Sequence, residues 1–341
     1  MSTNNGVAYY KALPASDPDS FVDVTLPMPS AGPNDLIVEV SAVAINPVDT
    51  KLRLSSKATQ QPQVSGHDAL GTVAELGSAV KGFHLGDRVA YAGAATRPGS
   101  EQHYQAVDYR LVGHVPSSLT DEQAVAFPLV SITAWELLFD KMGFTPAADA
   151  NGGKTLLVIN GAGGVGSVLT QLASWAGLSV VATASPKHQE WLAELGVSQV
   201  VDHHQDLPKQ LKQLGYTQFD GVAILYAPEP YMKLAADFVA PFGHVGCLVL
   251  PTQPLDVAAL KNKAASLDFE YMFARSDAGL DMARQGEIVT HVMELVLAGI
   301  IQDVTGTVLG PINAETVRQA TLAVDSGHGT GKVVITGGFA N

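Results

Sequence analysis

The stretch from Leu156 to Gly177, LLVINGAGGVGSVLTQLASWAG, constrains this chain more than any other. An apolar run ends in glycines, and an apolar pattern of helical period begins directly after them. Gly161, Gly163, Gly164 and Gly166, with Val165 among them, spell G-x-G-G-x-G between a predicted strand and a predicted helix. There the glycines make a tight turn, let a pyrophosphate approach the backbone, and let helix and strand pack closely. The helix start adds free N–H groups and the positive end of a dipole. A tight turn alone would also use glycine, so the surrounding sequence decides between the two.

That surrounding sequence alternates. From Lys154 onward TLLVIN, SVVATAS, VSQVVD, FDGVAILY and HVGCLVL read as strands, with helical segments such as PKHQEWLAELG and YMKLAADFVAP between them. Strands apolar on both faces, separated by helices, predict a parallel sheet covered on both sides. Up to about Phe127 the chain is different. DLIVEVSAVAIN, ALGTVAELG, DRVAYAG and YRLVGHVP are short β segments broken by glycine and proline, as in a compact β-barrel-type domain. DEQAVAFPLVSITAWELLFDKMG then has helical spacing, with Thr120 or Asp121 as N-cap. After about Thr305 come a helix with a possible N-cap at Asn313 and a last strand, GKVVITGG. That strand could extend the parallel sheet or return to the first domain.

At 341 residues two domains are expected. A net charge of −13 with no Lys/Arg cluster argues against a nucleic-acid partner. No apolar run is long enough to span a bilayer, and the N-terminal MSTNNGVAYYKALP has no secretory pattern, so a cytoplasmic protein without a membrane partner is the expectation. Cys247 is the only cysteine, which excludes an intrachain disulfide and a cysteine-rich metal site.

The strand after the glycine loop bears on the choice of dinucleotide. An NAD site usually carries Asp or Glu at its end. SVVATAS has none, and Ser185 and Lys187 follow instead, groups that could bind the 2′-phosphate of NADP(H). Ser185 could equally be a plain helix cap before Pro186.

Several motifs in order resemble one known group: INPVDTKLR from Ile45, GHDALGTVAELGSAVKGFHLGDRVAYAG from Gly66, RPGS from Arg97, FPLVSITAWELLF from Phe127, NGAGGVG, and GKVVI near the end. Over nearly its whole length the chain is similar to the medium-chain dehydrogenase/reductase superfamily. Within it the chain resembles zeta-crystallin-like quinone oxidoreductases and bacterial zinc-type alcohol dehydrogenase-like proteins. The resemblance implies an α/β protein: a GroES-like domain, 1–127 completed by 305–341, and a Rossmann domain, 128–304, with the nicotinamide meeting its substrate in a cleft between them.

Zinc-dependent relatives hold the metal with two cysteines and a histidine. His67 stands at the histidine position, but AVAINPVD and PLVSITAW lack the thiols. A set of His67, Asp68 and Asp49 is a poor substitute, and His203–His204 should point apart as neighbours on an extended chain. No metal is therefore expected. Without a Lewis acid an alcohol is a poor substrate, whereas a quinone or α,β-unsaturated carbonyl accepts hydride more readily. An NADPH-dependent, zinc-independent reductase follows, against two alternatives: a true zinc alcohol dehydrogenase, and a non-catalytic NADPH-binding sensor or structural protein.

The resemblance places Asn46 and Asp49 near the nicotinamide and the substrate. Asn46 could donate to the substrate carbonyl or be only a turn residue before Pro47; Asp49 could orient its neighbours or cap a helix. Lys51 stands where related reductases often carry tyrosine. Tyr91 and His67 are further candidate donors. Thr133 resembles a position at the nicotinamide end. Tyr226 and Leu248 follow strands of the sheet, and Phe273 and Lys332 are weaker cofactor positions, Phe273 being better explained by packing. The apolar HVGCLVL and the resemblance suggest a homodimer.

Overall fold

Thr155–Ile159 lies at the centre of a six-stranded sheet that is parallel throughout. The order across it is Gln199–Asp202, Ser179–Ala184, Thr155–Ile159, Phe219–Ile224, Val239–Cys247 and Ser266–Phe269. The chain runs outward in one direction from Thr155–Ile159 and then restarts at Phe219–Ile224 on its other side. The two strands flank the point where ligands gather in open α/β sheets. Leu157, Val181, Val222 and Val245 are fully buried within it, which explains why these strands are apolar at consecutive positions.

The computed structural model describes residues 3–339. They divide into two units: 3–129 with 273–299 and 303–339, and 130–272 with 300–302. The sheet just described belongs to the second. The first is built on a seven-stranded sheet of order Thr305–Leu309, Lys332–Ile335, Asp35–Ile45, Asp68–Leu76, Arg88–Tyr91 and Val112–His114, with Tyr104–Asp108 also pairing Asp35–Ile45. Its core joins Val38, Val43, Tyr91 and Val112 to Val333 and Ile335. The last strand thus returns to the first unit, antiparallel to Asp35–Ile45.

Two expectations change. Residues 273–299, read as part of the Rossmann half, group with the first unit. Helix Ala283–Leu297 lies so close to Val112–His114 that a Cβ on Gly286 would stand 2.5 Å from the Val112 carbonyl oxygen. The single helix expected over 121–143 is also broken. Thr120 caps a short Asp121–Val125 helix, Pro128 opens a second over Pro128–Trp135, and Glu136–Lys141 widens into a π-helical turn. Proline has no N–H to continue a helix but fits the first turn of a new one.

Candidate functional site

Asn160 has φ +68° and its N–H donates to Thr183 Oγ1 at 3.0 Å, turning the chain out of the strand. Helix Gly164–Trp175 then starts at Gly163, with no side chain capping it, so its first N–H groups are left for a ligand. Gly166 is where only glycine fits: a Cβ there would stand 2.4 Å from Gly161 O and 2.5 Å from Asn160 O. The loop therefore has the close approach and the free donors that a dinucleotide pyrophosphate needs.

Past the end of the neighbouring strand Ser179–Ala184, Ser185 is the residue before a short 3₁₀ turn, yet its hydroxyl caps nothing. It meets His203 Nε2 at 2.9 Å and His204 Nε2 at 3.3 Å, and the two imidazole nitrogens are 3.0 Å apart. The histidines expected to point apart converge. The strand ends at Asp202, and both lie in the turn after it, where side chains no longer alternate. Burial and the His204 ring beside it lower the His203 pKa; burial, Lys187 and His203 lower that of His188. Lys187 is exposed.

The first unit holds a different arrangement. Asn46, Asp49, His67, Asp68 and Lys332 are all buried. Asn46 precedes helix Pro47–Ser55, and its N–H donates to Asp49 Oδ2 at 2.6 Å, so Asp49 does cap the helix. The other Asp49 oxygen pairs with His67 Nδ1. Asn46 Nδ2 donates to Asp68 Oδ2 at 2.8 Å, while Lys332 Nζ donates to Asn46 Oδ1 and to Asp68 Oδ2, the latter at 2.9 Å. The Leu129 N–H reaches Asp68 Oδ1 at 2.7 Å. The Asn46 amide, expected as a donor to substrate, is thus occupied on both sides. Lys332, expected at the cofactor, is the counter-ion of Asp68.

The remaining candidates separate. The Tyr91 hydroxyl donates to Gln105 Oε1 at 2.8 Å in full burial, which raises its pKa far above the usual phenol range; it is a packed residue, not an acid. Lys51 is exposed on its helix. The Phe273 ring stacks obliquely on His67, centroids 4.7 Å apart, in the first unit. Thr133 is buried in Pro128–Trp135; Leu248 donates its N–H to Ile224 O at 3.3 Å; Tyr226 is exposed. Val245 and Cys247 of HVGCLVL are interior, paired on both sides within the sheet, whereas Leu250 at the end of the segment is exposed.

The first unit also has a cleft of about 660 Å³. Asp49, Arg53, Ser65, His67, Arg97 and Gln102 are among its polar lining residues; Tyr9, Met28 and Leu52 are among its apolar ones. Sequence reading passed over Arg53, Ser65 and Glu101. Only the acid amid short β segments at Glu101 was there to notice, and nothing local marks it as buried.

Comparisons with known proteins agree with this geometry. Residues 32–127 match the model of the alcohol dehydrogenase GroES-like domain, and residues 164–267 that of zinc-binding dehydrogenases. A zinc-type alcohol dehydrogenase-like protein of Staphylococcus aureus is 36% identical over 309 residues, 90% of this chain and 92% of the relative. The chain belongs to the medium-chain dehydrogenase/reductase superfamily.

Among solved structures, a Rhizobium etli protein described provisionally as a zinc-dependent alcohol dehydrogenase overlays with TM-score 0.93 at 38% identity, over 100% of both chains. A quinone oxidoreductase of Coxiella burnetii shares the fold, with TM-score 0.81 at 23% identity over 98% and 99%. Medium-chain dehydrogenase/reductases are pyridine-nucleotide-binding oxidoreductases, and a small-molecule substrate goes with that chemistry.

The residues of this member do not suit the zinc of its zinc-dependent relatives. A catalytic zinc takes at least three nitrogen, sulfur or carboxylate ligands. Among the described residues no group of three or more His, Cys, Asp or Glu could hold a metal ion, and a buried ammonium already rests on Asn46 and Asp68. A metal dication would meet that ammonium at close range. The thiol of Cys247 lies in the second unit, with burial pushing its pKa up to about 12.

Proposed function

We propose that this chain is an NADPH-dependent, zinc-independent reductase of quinones or α,β-unsaturated carbonyls. The observation that carries the reading is Lys332 on Asn46 and Asp68: a fixed ammonium takes up the groups that would otherwise surround a metal. Without a Lewis acid, the acceptor has to be one whose own conjugation spreads the incoming charge. The apolar side of the cleft suits a flat, conjugated molecule. His67 lines it with Nδ1 committed to Asp49, which leaves Nε2 as the nitrogen that can serve the acceptor's oxygen.

NADPH supplies the hydride when bound. In favour of it over NADH, no carboxylate ends Ser179–Ala184, and Ser185, Lys187, His203 and His204 offer hydroxyl, ammonium and imidazole groups to a 2′-phosphate. On this reading Thr133, Tyr226 and Leu248 remain cofactor positions, and Lys51 is set aside as an acid. A cytoplasmic homodimer belongs to the same proposal. Among the described residues no helix is long and apolar enough to cross a membrane. The edge strand Ser266–Phe269 and the residues after it expose Phe269 and Tyr271, which a second copy could cover. Elution as a monomer at every working concentration would rule that pairing out.

The deciding experiment follows NADPH and NADH consumption by chelator-treated protein, with 9,10-phenanthrenequinone and with a cyclic enone. Turnover that prefers NADPH and survives chelation is the expected result. Activity restored only by zinc, and on alcohols, would make the protein an alcohol dehydrogenase; tight NADPH binding without turnover would make it a non-catalytic binder.

A further inference from the structure

One carboxyl beside the cleft has no part in the arrangement above. Glu101 is 1% exposed, and its Oε2 accepts a hydrogen bond from Ser65 Oγ at 2.7 Å. The two segments run side by side. Glu101 N–H donates to Ser65 O at 3.1 Å, Ser100 N–H to Gly66 O at 2.9 Å, and Gly99 N–H to Val64 O at 3.0 Å. Gly66, at φ +89°, makes the close approach possible, since a Cβ there would lie 2.7 Å from Ser100 Oγ and 2.9 Å from Glu101 Cγ. Ser65, Gly66 and His67 line the cleft, whereas Glu101 does not. The Ser65 hydroxyl is what joins the buried carboxyl to the open space.

The charges around Glu101 are arranged for a group that changes state. Burial pushes its pKa up to about 8, and the Asp49 carboxylate acts in the same direction; the Ser65 hydrogen bond and Arg53 oppose them. Arg53 is itself 1% exposed, held over the Phe21 ring at 4.5 Å with Nη1 donating to Leu13 O at 2.5 Å. Its Nη2 has no hydrogen-bond partner among the described residues. At neutral pH Glu101 therefore keeps its proton, and a guanidinium with an unspent donor stands ready for the charge once the proton leaves. A buried acid with a pKa near the working pH is the form general acid catalysis favours.

We propose that the Ser65 hydroxyl, backed by Glu101, protonates the enolate that hydride addition to an α,β-unsaturated carbonyl leaves in this cleft. The inference rests on the reductase reading and narrows it towards enones. Hydride adds to the β-carbon, and the alkene π pair moves onto the α-carbon and the carbonyl oxygen. Ser65 turns its O–H to the enolate and gives up that proton, while protonated Glu101 donates in the reverse direction across the same 2.7 Å contact and replaces it. The acceptor gains a hydride, one hydrogen with two electrons, from the nicotinamide and one proton from Ser65, which Glu101 replaces; Glu101 is left as a carboxylate and regains a proton from solvent through Ser65. Ser65 is the residue in contact with substrate, and Glu101 acts through it. A quinone needs no such acid, because the hydroquinone anion is stabilised by its aromatic ring and water protonates it after release.

The test compares 2-cyclohexenone and 9,10-phenanthrenequinone as acceptors for wild type, Glu101→Gln and Ser65→Ala. Gln keeps the shape and the hydrogen bond to Ser65 but has no proton to give. In each variant the ratio of enone to quinone kcat is expected to fall about a hundredfold, the scale of one general acid. Wild-type enone kcat should decline as the pH passes about 8, and Glu101→Gln should lose that limb. If Glu101→Gln does not fold, Ser65→Ala carries the comparison with Glu101 in place. An unchanged ratio and pH profile in a wild type that reduces both acceptors overturns the inference alone. A wild type that reduces only the quinone also overturns it. A wild type inactive on both removes the reductase reading and this inference together.

Discussion

The glycine loop of the second unit and the polar cluster of the first offer two ways to build a site. The loop acts through backbone: Gly166 matters because it has no side chain, and the ligand groups are the N–H groups of a helix start. Everything it needs lies within a few residues of chain. The cluster joins side chains from three separate places, Asn46 and Asp49, His67 and Asp68, and Lys332, with the backbone N–H of Leu129, up to 286 positions apart along the chain. It exists only when the last strand has paired with Asp35–Ile45. A local site tolerates change elsewhere, whereas a dispersed one is lost with any of its members.

The largest effect should come from the dispersed site. Lys332→Met keeps most of the volume but leaves Asp68 buried with no cation, and should lower unfolding stability by about 3–5 kcal/mol in urea titration. A loss under about 1 kcal/mol would mean that Asp68 is satisfied by Asn46 and the Leu129 N–H alone. In the local site, Gly166→Ala should cost about 1–3 kcal/mol by overpacking. That strain should fall on the loop, so NADPH affinity drops while the first unit's cluster, reported by the Lys332 variant's stability loss, is unaltered. Equal coupling of the two changes in the double variant would erase the distinction drawn here.

A smaller change is expected from the two histidines. Asn at both 203 and 204 should lower the preference for NADPH over NADH about tenfold by isothermal titration, the scale of one hydrogen bond to a charged group. Unaltered preference would leave Ser185 and Lys187 to hold the 2′-phosphate by themselves.

Glu101 differs in kind, giving a slope against pH rather than a fixed loss. Its pKa rises on folding from 4.5 to about 8, so between those values the folded chain holds a proton that the unfolded chain has released. Its contribution to stability is therefore full below the ordinary carboxylate range and is lost as pH rises through about 8. Relative to wild type, Glu101→Gln should gain stability as the pH is raised from 5 to 8.5. A parallel pair of stability profiles would place the carboxyl in contact with water.

The strand, the glycines and the helix after them were legible because strand period, glycine and helix period follow one another in sequence. The same holds for Thr120 as a cap and for Asp49 capping its helix three residues after Asn46. His203 and His204 were misread because a period of two was carried past the end of its strand. Tyr91 was offered as an acid because burial is invisible in AYAG. Residues 273–299 were assigned to the wrong half because an amphipathic helix declares that it has a partner, but not which one.

By itself, then, the sequence determined that an α/β half follows a β-rich one, that a glycine turn between strand and helix opens at Gly161, and that thiols for a catalytic zinc are missing. Each of these depends on residue types and spacings within one element, or on a residue being absent altogether. Tertiary structure alone decided that Lys332 stands on Asn46 and Asp68, that Ser185 meets two histidines, and that Glu101 is buried behind Ser65. Contacts of that kind join distant segments, and their energy depends on burial, which no local pattern records.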